Sequence, residues 1–273
     1  MLNLDIEKIE RQPFDHVSKE KFISPELYAA LCEGFPQCPS NGGPTGHNRF
    51  WGDPEYEAVL KNDDAWRAFF GAVHSQNFID YAVAQFGYTF QSQGCLVNLA
   101  RARYVPYQES RADKERRHIA EPKHDRDELW VRLDLLQGKI GYNRARHLDH
   151  RRRLITLLVY FCDADENRMV GGEVIFHPPK RLGRNATKLA IVPRHNLMVA
   201  FPCSNESYHS VARIKEQRVP RNYVQITISS SFDAWPPLPV GESAWNSARV
   251  RWHSRADRVR TLFRSFAAPA RSG

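Results

Sequence analysis

No stretch of this chain reads as a membrane span, a disulfide framework or a zinc knuckle. No apolar run approaches the roughly 18–20 residues needed to cross a bilayer. The charged start, MLNLDIEKIERQPF, lacks the apolar segment of a secretion signal. The five cysteines (Cys32, Cys38, Cys95, Cys162, Cys203) are odd in number and show no CxxC spacing. A reducing cytoplasm is therefore the expected compartment, with no membrane partner. Internal repeats, an aromatic-basic RNP pattern and zinc-finger spacing are also missing, so no nucleic-acid partner is expected despite a net charge of +8. That charge is spread along the chain, with clusters at Arg116–Arg117, Arg151–Arg153 and Arg249–Arg271, and reads as a solvated basic surface.

What the chain does contain suits one compact α+β unit. Its 273 residues, 42% apolar and 11% aromatic, are enough to bury a large core. Ser24-Pro25-Glu26 reads as a helix start followed by apolar Leu27, Ala30, Leu31 and Phe35 at helical spacing. Residues 36–53 read as a loop. Helical patterns return at 54–61 and 64–86, where Trp66, Phe69, Phe70, Val73, Phe78, Tyr81 and Ala82 form an apolar stripe. From Tyr88 the texture reads as strands, interrupted by a charged insertion at 106–128 that is long enough to be a functional lid. Short strands are then expected over 129–136, 139–147, 154–161, 172–176, 188–191, 197–201, 209–211 and 223–229, a pattern of sandwiches, jelly rolls and barrels. The expected division is a helical support region over 1–87, a β core over 88–239 and a basic tail over 240–273.

The chemistry concentrates in GYNRARHLDHRRRLITLLVYFCDADENRMVGGEVIF, residues 141–176, which hold the one His-x-Asp triplet, His147-Leu148-Asp149. Side chains two apart at a strand end can point to the same side. A third ligand from a distant strand, His209 in FPCSNESYHSV, would complete a two-histidine, one-carboxylate facial triad, which suits non-heme Fe(II) with open positions. The other histidines read as surface or loop residues. Gly171-Gly172 reads as a tight turn, and Cys162 and Cys203 as small buried apolar residues.

The order of these pieces carries a resemblance: His-x-Asp, an apolar strand ending in Tyr160, Gly171-Gly172-Glu173, a strand with Phe201, His209, then Arg221 leading a last strand. Residues 129–231 resemble the catalytic domain of the Fe(II)- and 2-oxoglutarate-dependent dioxygenases, particularly the prolyl-hydroxylase-like branch. The resemblance implies a double-stranded β-helix (jelly-roll) core backed by the N-terminal helices. It implies Fe(II) held by His147, Asp149 and His209, with 2-oxoglutarate and O2 as co-substrates. It also implies an Arg or Lys about ten residues beyond the distal histidine to pair with the far carboxylate of 2-oxoglutarate. Arg218 and Arg221 both qualify. Arg221 is preferred because it shares a strand face with Tyr223, Gln225 and Thr227. Tyr160 and Thr227 are further candidates to contact that carboxylate.

The implied reaction is hydroxylation of an unactivated C–H with release of succinate and CO2. The carboxylate at Asp149 argues against halogenating variants, where a small residue makes room for chloride. The expected substrate is a small metabolite: a sugar, an amino acid or a carrier-linked acid. It would be anionic if Arg144, Arg146 and Arg151–Arg153 line the mouth. Two alternatives stay open here, a basic β-barrel binding protein without catalysis and a cupin-type metalloenzyme that does not use 2-oxoglutarate. Oligomeric state is left open.

Overall fold

The computed structural model describes residues 1–36, 46–110, 112–113, 123–179 and 186–238. Cys38, the tail from 240 and most of 111–122 lie outside them.

Three short strands precede the main β region: β1 (Val17–Lys19), β2 (Gly46–Arg49) and β3 (Arg103–Tyr104). The main strands follow as β4 (Glu128–Gly138), β5 (Arg144–His147), β6 (Arg153–Tyr160), β7 (Val174–Phe176), β8 (Leu189–Ile191), β9 (Met198–Pro202), β10 (His209–Val211) and β11 (Arg221–Ser230). Strands β4 to β11 divide between two sheets. The larger has the order β1-β9-β6-β11-β4-β2 with β3 beside β4, and the smaller β5-β10-β7-β8. This arrangement is the expected double-stranded β-helix, extended by β1 and β2 at the edges of the larger sheet.

Four helices, α1 (Pro25–Glu33), α2 (Pro54–Asn62), α3 (Asp64–Val73) and α4 (Gln76–Ser92), back the larger sheet. Strand periodicity explains the packing. On β4, Leu129, Val131, Leu133 and Leu135 join the core shared with the helices, as do Val224, Ile226 and Ile228 on β11. The helices contribute Trp66, Phe69, Phe78, Phe86 and Phe90, all buried in that core. Each such side chain contributes about 1.5–3 kcal/mol when removed from water. The alternate residues of the same strands, including Trp130, Arg132, Asp134, Tyr223 and Thr227, occupy the opposite face of the sheet, the side of the β-helix interior.

Three local readings change. The stripe over 64–86 is two helices, because Asp63 caps α3 through Ala65 N and Trp66 N and Ser75 caps α4 through Phe78 N. Helix α4 then runs through Gly87 to Ser92, so strands do not begin at Tyr88; Phe86, Thr89 and Phe90 keep the helical face buried. Within the expected 36–53 loop, β2 pairs with β4 from Gly46↔Gly138 to Arg49↔Leu135.

The turn before β7 needs glycine. Gly171 has φ +87°, and a Cβ there would collide with the backbone carbonyl of Arg213. Among the described residues no helix is long and apolar enough to cross a membrane.

Candidate metal centre

His147 closes β5 and His209 opens β10, and the two are directly paired across the smaller sheet. Their rings stand 4.3 Å apart, centroid to centroid. Asp149 follows His147 by two residues, and one ligand atom from each of the three lies within 4.8 Å of the others. The tautomers suit a metal. His147 Nδ1 lies 2.8 Å from Ala145 O, and His209 Nδ1 lies 2.9 Å from Ser207 O. Each carbonyl accepts the Nδ1 proton, which leaves the Nε2 lone pair available as a ligand.

The electrostatics keep these groups in ligand form. Burial is the main cause that lowers His147 to about 3, assisted by neighbouring His209, and burial lowers His209 as well. Burial alone would raise Asp149, but the cation of Arg153 and other favourable contacts outweigh it and hold the carboxyl well below its usual range. Arg153 Nη1 donates to Asp149 Oδ1 at 2.8 Å, and Thr156 Oγ1 donates to Oδ2 at 2.6 Å. The thiol of Cys203 lies 3.6 Å from Oδ2. Both oxygens of the carboxylate are therefore oriented before any ion arrives.

A pH dependence follows. In the metal-free protein, the unfolded chain takes a proton at His147 near pH 6.5, whereas the folded chain does so near 3. The unfolded state thus binds more protons between these values, so stability is lost as pH falls through that window. The loss is about 1.4 kcal/mol per pH unit for this one group. Urea midpoints at pH 7 and pH 5 check it; His147→Asn should flatten the slope.

A second cluster lies on the larger sheet, at the end of β11 away from Thr156 and Arg153. Arg221 at the head of β11 is fully buried, with Nη2 donating to Tyr160 Oη at 3.2 Å. Its guanidinium lies over the Tyr223 ring at 4.2 Å, and Tyr223 Oη is 3.1 Å from Tyr142 Oη. Among the described residues, Arg221 Nε and Nη1 have no hydrogen-bond partner. A buried guanidinium with two unused donors fits a missing carboxylate, since leaving a buried charge unpaired is strongly destabilising.

The expected site residues therefore divide. His147, Asp149 and His209 come together, and Arg221 and Tyr160 come together. Arg218 is exposed, with its backbone N–H on the carbonyl and side chain of Asn167, and takes no part. Thr227 does not sit beside Arg221: it stands six residues along β11, roughly 20 Å away along the strand, opposite Thr156. The sequence reading gave no site role to Thr156, Cys203, Tyr142 or Tyr223, and it offered Arg153 to the mouth rather than to Asp149. Arg153 had a signal, its i+4 spacing from Asp149, but it was hidden in a run of three arginines. His16 and His177, read as surface or loop residues, are buried: His16 bonds Phe14 O at 2.8 Å and His177 bonds Ser210 Oγ at 2.8 Å.

The family described as the 2OG-Fe(II) oxygenase superfamily matches residues 134–227. No curated protein matches the chain in sequence. Among solved structures, a Pseudomonas putida prolyl-4-hydroxylase is 13% identical, with 79% of this chain and 92% of that one covered at a TM-score of 0.46. A prolyl 4-hydroxylase of Phytophthora capsici is 14% identical, with 90% and 68% covered at 0.48. The 2-oxoglutarate-dependent epimerase SnoN of nogalamycin biosynthesis is 13% identical, with 81% and 79% covered at 0.46. The family match spans His147, Asp149, His209 and Arg221 together, so the stretch of this chain that is similar to the 2OG-Fe(II) oxygenase superfamily is the one that carries both clusters.

Proposed function

We propose that the chain is an Fe(II)- and 2-oxoglutarate-dependent dioxygenase that hydroxylates an unactivated C–H of a small molecule, with His147, Asp149 and His209 as its iron ligands and Arg221 as the anchor of 2-oxoglutarate. The observation that carries the reading is the buried Arg221 with Nε and Nη1 unpaired, on the same face of the larger sheet as the residues that orient Asp149. The planar fork of a guanidinium holds a carboxylate through two parallel bonds, and Tyr160 Oη stands beside it as a third polar contact.

Fe(II) bound by the triad supplies the coupling of O2 reduction and 2-oxoglutarate decarboxylation to C–H oxidation. The chain's own part is to present two neutral imidazoles and one carboxylate, to fix the co-substrate by its distal end, and to keep water out. The aromatic interior serves the last purpose: Phe176 and Phe201 pack at 5.2 Å, and Phe201 lies 4.7 Å from the His209 ring. The carboxylate at Asp149 supports hydroxylation over halogenation.

Three of the five arginines that suggested an anionic substrate have partners within the protein. Arg151 pairs with Asp233 at 3.0 Å, Arg146 lies over the Tyr208 ring at 4.4 Å, and Arg153 turns inward to Asp149. Arg144 stands outside this set, and its charge acts on His147 and His209.

The test is succinate release. With Fe(II), O2 and 2-oxoglutarate, the protein should form succinate, and His209→Ala should lower the rate to that of protein-free controls. Succinate formation unchanged in His209→Ala would contradict the ligand assignment.

A further inference from the structure

Arg153 is buried, and among the described residues its only side-chain hydrogen bond is the one from Nη1 to Asp149. Nε has no partner. The neighbouring strands place further unused polar groups in the same row. Ser229 on β11 is directly opposite Arg153 on one side and Trp130 of β4 on the other. Among the described residues, Ser229 Oγ and Trp130 Nε1 are buried and unpartnered, and so is Thr227 Oγ1, two residues along on the same face. Directly opposed residues hold their Cβ atoms about 4.5–5.5 Å apart, so these groups are near neighbours.

Every one of the four can donate, and two of them, the indole and the guanidinium, can only donate. Leaving such groups buried and unsatisfied costs about 1–3 kcal/mol each. Water or a ligand must therefore meet them, and the ligand atom must be an acceptor. We infer that Arg153, Thr227, Ser229 and Trp130 form a substrate subsite beside the metal carboxylate, which takes a carboxylate group of the substrate. The inference rests on the proposed function and names the class of substrate that the site selects.

A carboxylate is the best match because the Nε side of the Arg153 guanidinium remains unused while Nη1 holds Asp149, and that edge offers a fork. The surrounding charges set a condition. Arg132 is buried between Glu109 and Asp134, donating to both, so Arg132 and Arg153 face the three carboxylates of Glu109, Asp134 and Asp149. Those five groups sum to one net negative charge, which Arg144 offsets in part and a divalent metal at the triad reverses. The metal-free subsite should hold an anion more weakly than the metal-loaded one.

The experiment uses the anaerobic protein loaded with Fe(II) and 2-oxoglutarate, with acetate as the probe and methylammonium as its cationic counterpart. The visible band of the 2-oxoglutarate chelate reports on ligands placed beside the metal. Acetate should shift the band saturably. Thr227→Val with Ser229→Ala, near-isosteric changes that keep the metal and 2-oxoglutarate residues, should weaken acetate by about tenfold or more. Methylammonium should have no effect. No shift with acetate, an equal response in the double variant, or a shift with methylammonium instead would overturn the subsite. If the band never forms in the wild-type protein, the proposed function fails rather than this inference.

Discussion

Arg221→Leu should abolish 2-oxoglutarate binding, weakening it by at least about a hundredfold, while the protein stays folded and its metal affinity is kept. Two charge-assisted hydrogen bonds, at about 1.5–3 kcal/mol each, are lost with the guanidinium. In the metal- and ligand-free protein, Arg221 is a fully buried cation with two unpaired nitrogens, stabilised by Tyr160 and Tyr223. Leucine removes that unpaired charge, so the melting midpoint of the free protein should not fall. Calorimetric titration with 2-oxoglutarate and a thermal melt together separate loss of an anchor from loss of fold. A large drop in the melting midpoint would show that Arg221 is structural.

Asp149→Ala should have the largest effect of all, since it removes a ligand and strands a charge. Metal binding, followed with Mn(II), should be lost. Stability should fall by about 3–5 kcal/mol, because Arg153 stays buried without its partner. The double variant Asp149→Ala with Arg153→Met should recover most of that stability and none of the metal affinity. Urea midpoints and Mn(II) titration of the two proteins check both halves. Recovery of neither stability nor metal would mean that Asp149 supports the fold chiefly through Thr156 and Cys203.

The contrast between these two sites explains what could be read from the sequence. The triad was legible because His147 ends a strand with Asp149 two residues beyond it, and the pairing of strands brings His209 alongside. Arg221 was legible for a similar reason, as the head of an alternating strand whose Val224, Ile226 and Ile228 point the other way. Periodicity says which face a residue occupies but gives no distance along it. Thr227 was therefore grouped with Arg221 although the strand separates them.

Cross-strand partners were out of reach as well. That Thr156 bonds Asp149 depends on how the chain turns from β5 into β6, and that Ser229 lies between Trp130 and Arg153 depends on register, including the bulge between Ile228 and Ser229. The helical region misled in a different way. Gly87 and aromatic residues such as Tyr88 and Phe90 have strand-like or neutral propensity, yet burial of Phe86, Thr89 and Phe90 on one side carries α4 onward to Ser92. In the arginine run, composition suggested a charged mouth. The ion pairs of Arg151 and Arg153 show that side chains adjacent in sequence serve separate partners.

One interior should bind both Fe(II) and 2-oxoglutarate, and the anaerobic visible spectrum of the protein with Fe(II), with 2-oxoglutarate, and with both decides it. A weak charge-transfer band that requires both additions, and that disappears in Arg221→Leu, is the predicted result. A folded, iron-bound protein that shows no band on adding 2-oxoglutarate would contradict it.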